Sequence, residues 1–280
     1  MRYSVIIPVY NVADWLPACL DSVLEAARLT TGGVELICVD DGSTDGSGAI
    51  LDRYAAVANG TPGVEMRVLH RANGGVGAAR NAGLETASGD WMLFVDGDDF
   101  VRDTWLSDLS NAIDRCDADL IGFGKMPFFG TERWNELSAE YEDIGIERSI
   151  CDRLVGYCVY QFAYSAALVG DMRFGPYSVG EDLVFTVQAF ARARRCVLTD
   201  RQDYGYRFRE GSAMHSSCST AKMLDAIRFN VDMFGVLAAS GKAIGDAFSH
   251  GRGDEWLVSL PRMILARRKE PGGREVLDAW

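Results

Sequence analysis

Short apolar runs alternate with helix-spaced apolar positions over about the first 100 residues. Residues 5–9 read as a buried strand. Trp15, Leu16, Cys19, Leu20, Val23 and Leu24 then recur at helical spacing over 15–28. Residues 35–39 form a second strand pattern, and Ser43, Thr44 and Asp45 supply capping side chains for a helix through Tyr54. A third strand is expected at 66–69, a helix at 77–86 and a fourth strand at 91–95. Strands that are apolar along their whole length and separated by helices predict a parallel sheet covered on both faces, an α/β fold. Such sheets bind ligands at the carboxyl ends of their strands. Polar clusters fall at those ends: Tyr10 and Asn11, then Asp40 to Ser43, then Asp96 to Asp99.

Beyond residue 100 the pattern changes. A helix is predicted over 105–115 and a strand over 119–123. Residues 125–150 mix aromatics with Glu132, Glu136, Glu140, Glu142, Asp143 and Glu147 at weak periodicity, and read as an excursion over the active face. Residues 150–169 read as largely helical. A clean helical face (Leu183, Val184, Val187, Phe190, Ala191) spans 181–194, with short strands at 196–198 and 204–208. From Ser219 a helix carries Met223, Ile227, Val231, Phe234 and Leu237 on one face, and a second is expected over 255–268. These shifts divide the chain into a domain at 1–215, with halves at 1–100 and 101–215, and a helical extension at 216–280.

The formal charge is −12 over 280 residues, with 48% hydrophobic and 24% charged residues. That apolar content argues against disorder, and the acidity argues against nucleic-acid binding as the main task. Seven cysteines, an odd number with no Cys-x-x-Cys pair, suggest buried reduced thiols rather than a disulfide framework or a zinc site. No signal-peptide-like stretch opens the sequence and no run of ~18 apolar residues occurs, so a cytoplasmic protein is expected.

Candidate chemistry follows three strands. Asp96, Gly97, Asp98 and Asp99 gather carboxylates whose mutual repulsion a hard cation such as Mg²⁺ or Mn²⁺ relieves; an acidic turn gives the same text. Asp40 to Asp45 fit a capped helix start, and equally a strand end where a nucleotide sits. Asn73 to Asn81 form a glycine-rich loop leading to a helix, with Arg80 able to reach a diphosphate; a turn before a packed Ala-rich helix is the alternative.

Taken in order, Val5 to Asn11, Asp40 to Asp45, Asn73 to Asp90 and Phe94 to Asp99 resemble the family 2 glycosyltransferases, which have the nucleotide-sugar-binding GT-A fold. A fifth match is Gly180-Glu181-Asp182-Leu183-Val184-Phe185, and the resemblance covers about residues 3–210. It implies that Pro8, Tyr10 and Asn11 line a nucleotide site and that Asp41, beside Asp40, binds the base, typically uracil. Asn73 and Arg80 would lie near base and diphosphate. Asp96, Gly97 and Asp98 would be the Asp-x-Asp element, with Asp96 on ribose or metal, Asp98 on a Mn²⁺ or Mg²⁺ ion, and Asp99 as a further carboxylate. Asp182 would be the general base, Glu181 its neighbour and the alternative candidate. His215 would complete the metal shell, touch phosphate or remain an ordinary loop residue.

The implied activity is metal-dependent, inverting transfer from a nucleotide sugar, a UDP-sugar by preference, to a glycan or lipid-linked acceptor. The resemblance departs at 159–164, where Val159, Tyr160, Gln161, Phe162, Ala163 and Tyr164 replace a Trp-x-Lys-like segment. Arg262, Arg267, Arg268 and Lys269 beside Trp256, Leu257, Leu260, Ile264 and Leu265 suit a peripheral contact at the inner membrane face, or a helix packed on the domain or on a second subunit. A sugar nucleotidyltransferase would need a basic glycine-rich loop where Pro8 to Asn11 stand, and a non-catalytic sugar-binding module would need no base at Asp182.

Overall fold

The computed structural model describes residues 1–123, 128–129, 141–143, 158–199, 201, 203–207 and 219–240. The predicted excursion at 125–150 therefore lies almost wholly outside the described residues. So do His215, the helix at 255–268 with its basic cluster, Cys151 and Cys218.

The chain opens with β1 (Arg2–Val9), α1 (Leu16–Leu29), β2 (Gly33–Asp40), α2 (Ser47–Ala58), β3 (Val64–His70), α3 (Val76–Thr86) and β4 (Trp91–Phe94). It continues with β5 (Phe100–Val101), α4 (Trp105–Arg115), β6 (Leu120–Phe123), β7 (Phe128–Phe129) and β8 (Tyr141–Asp143). A 3₁₀ turn (Val159–Gln161) leads to β9 (Phe162–Ser165), the single-turn α5 (Ala166–Val169), α6 (Glu181–Arg192), β10 (Cys196–Thr199), β11 (Tyr204–Tyr206) and α7 (Thr220–Ser240).

Eight strands form one sheet in the order β3-β2-β1-β4-β9-β6-β10-β8, and β5-β11-β7 form a second, smaller one. β3, β2, β1 and β4 are mutually parallel, as are β6 and β10, while β9 runs antiparallel to both its neighbours. Alternate residues of β1 serve opposite faces, as the two-residue period of a strand requires. Tyr3, Val5 and Ile7 meet α1 and α4 through Leu16, Leu20, Trp105 and Leu109. Ile6 faces the other way, in a core with Ala79 of α3 and with Phe94, Phe185 and Phe190. There α3 lies so close to β1 that a Cβ at Gly83 would overlap Ile6 Cγ2.

Two expectations need correction. The stretch 150–169 is not largely helical where it is described: Phe162–Ser165 is a strand inserted between β4 and β6. A short apolar run has no periodicity of its own to separate strand from helix, and here the gap between two strands decides. On α7, Val231 and Phe234 are 64% and 37% exposed, while Met223, Ile227, Phe229, Met233 and Leu237 are buried. Steps of four residues drift by about 40° each around a helix of 3.6 residues per turn, which carries Val231 off the buried face. That face packs on Leu183, Val184 and Val187 of α6.

Candidate active site

The carboxyl ends of β1, β2, β3 and β4 lie along one edge of the sheet because the four strands are parallel and in register, Val9 opposite Asp40 and Asp40 opposite His70. Past β1 the backbone turns sharply: Asn11 has φ 51°, the only positive φ outside glycine among the described residues. Local hydrogen bonds hold that conformation, as its rarity for a non-glycine residue demands. The Asn11 N–H donates to Ser43 Oγ at 3.1 Å, and Asn11 Oδ1 accepts from the Thr44 N–H at 2.8 Å. Asp45 takes the Ala13 N–H at 2.9 Å and caps α2 through the Ser47 N–H at 3.0 Å. Pro8 is buried at this edge, whereas Tyr10 stands 50% exposed beside it.

Asp40 and Asp41 divide their work. Asp40 accepts from the Ser43 N–H at 2.9 Å and meets His70 Nδ1 at 2.9 Å, and His70 Nε2 reaches Asp52 at 3.1 Å. Burial alone raises the Asp40 pKa, but the Ser43 and His70 hydrogen bonds prevail and hold it below the usual value. The hydrogen bond to Asp40, with that to Asp52, raises the pKa of His70. Asp41 is buried and already bound: its oxygens accept from the Gly74 N–H at 3.0 Å and the Gly75 N–H at 2.7 Å, with Arg71 Nε 3.3 Å away. The carboxylate expected to read the base is thus engaged in shaping the glycine loop, on which Asn73 is exposed. Gly42 has φ +78°, and a Cβ there would come within 2.9 Å of the Asn73 nitrogen, so the two loops meet at a place only glycine fits.

After β4 the turn carrying Asp96, Gly97, Asp98 and Asp99 sits against β1, where a Cβ on Gly97 would lie 3.2 Å from the Pro8 carbonyl oxygen. Asp96 and Asp98 remain partly exposed, but Asp99 is 1% exposed and faces inward. Asp99 Oδ2 accepts from the Tyr204 hydroxyl at 2.6 Å and Oδ1 from the Arg207 N–H at 2.8 Å. The same Tyr204 oxygen accepts the Asp96 N–H at 3.1 Å, and Arg207 Nε donates to the Asp98 carbonyl at 2.9 Å. Asp99 is therefore the inner anchor of the turn rather than a further outward carboxylate. Burial, with the Asp96 and Asp98 charges, pushes its pKa up to about 8. Tyr204 in turn stacks on Tyr160 at 4.2 Å. None of these partners was expected from the sequence. A tyrosine that opens a short strand and an arginine just past its end carry no signal that they answer an aspartate more than 100 residues earlier.

Arg80 departs furthest from its implied place. Its guanidinium is buried beneath the edge, with Nη2 2.8 Å from Asp96 Oδ1, Nη1 3.0 Å from Glu181 Oε1, and Nη1 also on Asp182 Oδ1. The cation expected beside a diphosphate is turned onto three carboxylates. Glu181 and Asp182 open α6 behind Gly180, whose φ of +80° and contact with the Phe229 ring leave no room for a side chain. The second Asp182 oxygen receives the Val159 N–H at 3.5 Å. Burial, aided by the Glu181 and Asp96 charges, pushes the Asp182 pKa well above the usual carboxylate value in spite of the opposing Arg80 charge.

Among the described residues no group of three His, Cys, Asp or Glu side chains is gathered as a metal cluster. Asp96 and Asp98 nevertheless fit a hard cation of the kind that takes one or two carboxylates and completes its shell with phosphate oxygens and water. The surplus of carboxylates over the single Arg80 charge is in keeping with that fit.

A family model described as glycosyl transferase family 2 matches residues 4–170. The uncharacterized glycosyltransferase EpsJ of Bacillus subtilis (strain 168) is 31% identical over 224 residues, covering 73% of this chain and 60% of that protein. The poly(ribitol-phosphate) beta-glucosyltransferase of Bacillus spizizenii is 30% identical over 210 residues, covering 74% of this chain but 32% of that protein. The chain thus spans between about a third and three fifths of the length of such relatives. Among solved structures, S. aureus TarS 1–349 in complex with UDP-GlcNAc superposes with a TM-score of 0.71 at 24% identity over 95% of this chain and 79% of that one. The mannosyltransferase PcManGT from Pyrobaculum calidifontis, in complex with GDP-Man and Mn²⁺, gives a TM-score of 0.62 at 16% identity over 99% and 78%. Both likenesses bear on the fold, which is GT-A. By its matched residues, the order of its motifs and its architecture, the chain belongs to glycosyl transferase family 2.

Proposed function

We propose that this chain transfers a sugar, with inversion, from a nucleotide diphosphate donor of the UDP-sugar class to a hydroxyl of a glycan or lipid-linked acceptor. The observation that carries the reading is the convergence, at one sheet edge, of Asp96 with Glu181 and Asp182 around a shared guanidinium, with the partly exposed Asp98 two residues further along the same turn. Asn11, Tyr10, Pro8, Asp40 and the loop held by Asp41 frame the nucleotide. Asp182 accepts the proton of the acceptor hydroxyl as that oxygen bonds the anomeric carbon and the bond to the departing diphosphate breaks. A Mn²⁺ or Mg²⁺ ion held by Asp96 and Asp98 would neutralise charge on that diphosphate. Of the two acids Asp182 is the better placed to meet substrate, its side chain being 21% exposed against 12% for Glu181.

TarS crystallised with UDP-GlcNAc supports the donor class, and PcManGT crystallised with Mn²⁺ supports the ion. The lipid-linked option brings the chain to a membrane surface; among the described residues no helix is long and apolar enough to cross one. The test is UDP or GDP release from a panel of nucleotide sugars, with and without glycan acceptors, in Mn²⁺ and in EDTA. Metal-stimulated UDP release that rises with acceptor is expected. Nucleotide binding without turnover for any pair would leave a binding module instead.

A further inference from the structure

We propose that Arg80 is a positioning residue that fixes the proton-accepting Asp182 relative to the donor-side Asp96, and not a ligand of the donor diphosphate; this rests on the glycosyl-transfer reading above.

A phosphate ligand needs N–H groups turned toward solvent. Arg80 turns none that way: it is 2% exposed, both its terminal nitrogens are on carboxylates, its unpartnered Nε is buried, and its central carbon lies 5.4 Å from the centre of the Phe174 ring. Its stem is equally confined. Ala79 is fully buried, and Gly83, one turn along α3, sits against Ile6, so the helix has no freedom to swing the side chain outward. The next residue reinforces the same join. Asn81 donates to the Phe174 carbonyl at 3.0 Å and accepts the Phe174 N–H at 2.9 Å, tying α3 to the segment that leads into α6.

What Arg80 joins comes from two sides of the site. Nη2 grips the strand-end carboxylate Asp96, while Nη1 grips the helix-start carboxylates Glu181 and Asp182. The planar fork sets the separation and angle of these groups, because its nitrogens cannot move independently. Beside the guanidinium, the Asp182 carboxylate meets the Val159 N–H at 3.5 Å and its Glu181 neighbour, so Arg80 is the group that ties it to the strand-end side of the site. Proton transfer requires the base within hydrogen-bond reach of the acceptor hydroxyl, and small misplacements cost large factors in rate.

The experiment uses the full chain as Arg80→Lys and Arg80→Gln. The lysine keeps a buried positive charge but is a point donor that cannot span both sides. Melting is followed by circular dichroism, UDP affinity by calorimetry in Mn²⁺, and transfer as kcat and donor KM with the pair active for the wild type. For Arg80→Lys a folded protein is expected, with UDP Kd and donor KM within ~3-fold of wild type and kcat lower by ~30-fold or more, as a misaligned base predicts. UDP affinity lost in step with kcat would make Arg80 a diphosphate ligand and overturn the proposal. Unchanged kcat would overturn it too, as would an Arg80→Lys protein that fails to fold, since the ion cluster would then be structural. Arg80→Gln should fall at least as far in kcat. Wild-type protein that binds no nucleotide removes the glycosyl-transfer reading itself, an outcome visible before any variant is made.

Discussion

Two carboxylates at the head of α6 differ in what surrounds them, and single substitutions separate their roles. Asp182→Asn keeps the size and loses the basic oxygen, so kcat for transfer should fall by ~10²-fold or more while UDP binding persists. Glu181→Gln should cost less, because of the two acids on Arg80 its side chain is the less exposed, 12% against 21%; steady-state kinetics of both variants with one acceptor decides. If Asp182→Asn transfers normally and Glu181→Gln does not, the roles exchange. Asp98 belongs to the other side of the edge. Asp98→Asn removes one anionic ligand from a site shared with phosphate, so calorimetry should show UDP affinity sharply reduced in Mn²⁺ and little changed in EDTA. Tyr204→Phe tests the inner anchor: removing the buried hydroxyl that joins Asp99 to the Asp96 N–H should lower stability by ~1–3 kcal/mol in a denaturant titration.

At the scale of elements, the join between β2, β3 and α2 carries a titratable pin. His70, on the last residue of β3, bridges Asp40 and Asp52, and its pKa is raised in the fold. A raised pKa stabilises fully below the unfolded value of about 6.5 and is lost as pH rises through the folded value. His70→Asn should therefore lower the melting temperature by about 1–3 °C at pH 5.5 and by little at pH 8.5, a small effect because the ring is half exposed. The four parallel strands were legible to within three residues at their ends, since β1, β2 and β4, buried on both faces, leave largely apolar runs. β9 was not legible: its apolar run resembles its flanks, and only the gap between β4 and β6 makes it a strand. Asp96 and Asp98 could be named from their strand-end setting, and Asp182 only from the family resemblance. Their partners Arg80, Tyr204 and Arg207 could not be paired with them, because a side chain's charge does not reveal which distant group it meets.

For the molecule as a whole, α7 is part of the body that holds the site. Phe229, Met233 and Leu237 cover Leu183, Val184 and Val187, and Phe229 also closes over Gly180 just ahead of the two acids. A chain ended at residue 218 should lose several kcal/mol, at ~1.5–3 kcal/mol for each large side chain uncovered, and should show a lower melting temperature with reduced soluble yield. The Arg80 bridge has a consequence in time as well as in space. Its partners on α6 lie 101 and 102 positions further along the chain. At ~5–20 residues per second, a ribosome delivers Asp182 roughly 4–17 s after Asp96. For that interval Arg80 has Asp96 as its one available carboxylate among the three, and the nucleotide half of the edge waits unfinished. The carboxylate ring around Arg80 thus closes only once α6 has emerged, and a polypeptide stalled before that point carries the strand-end loops without Glu181 and Asp182.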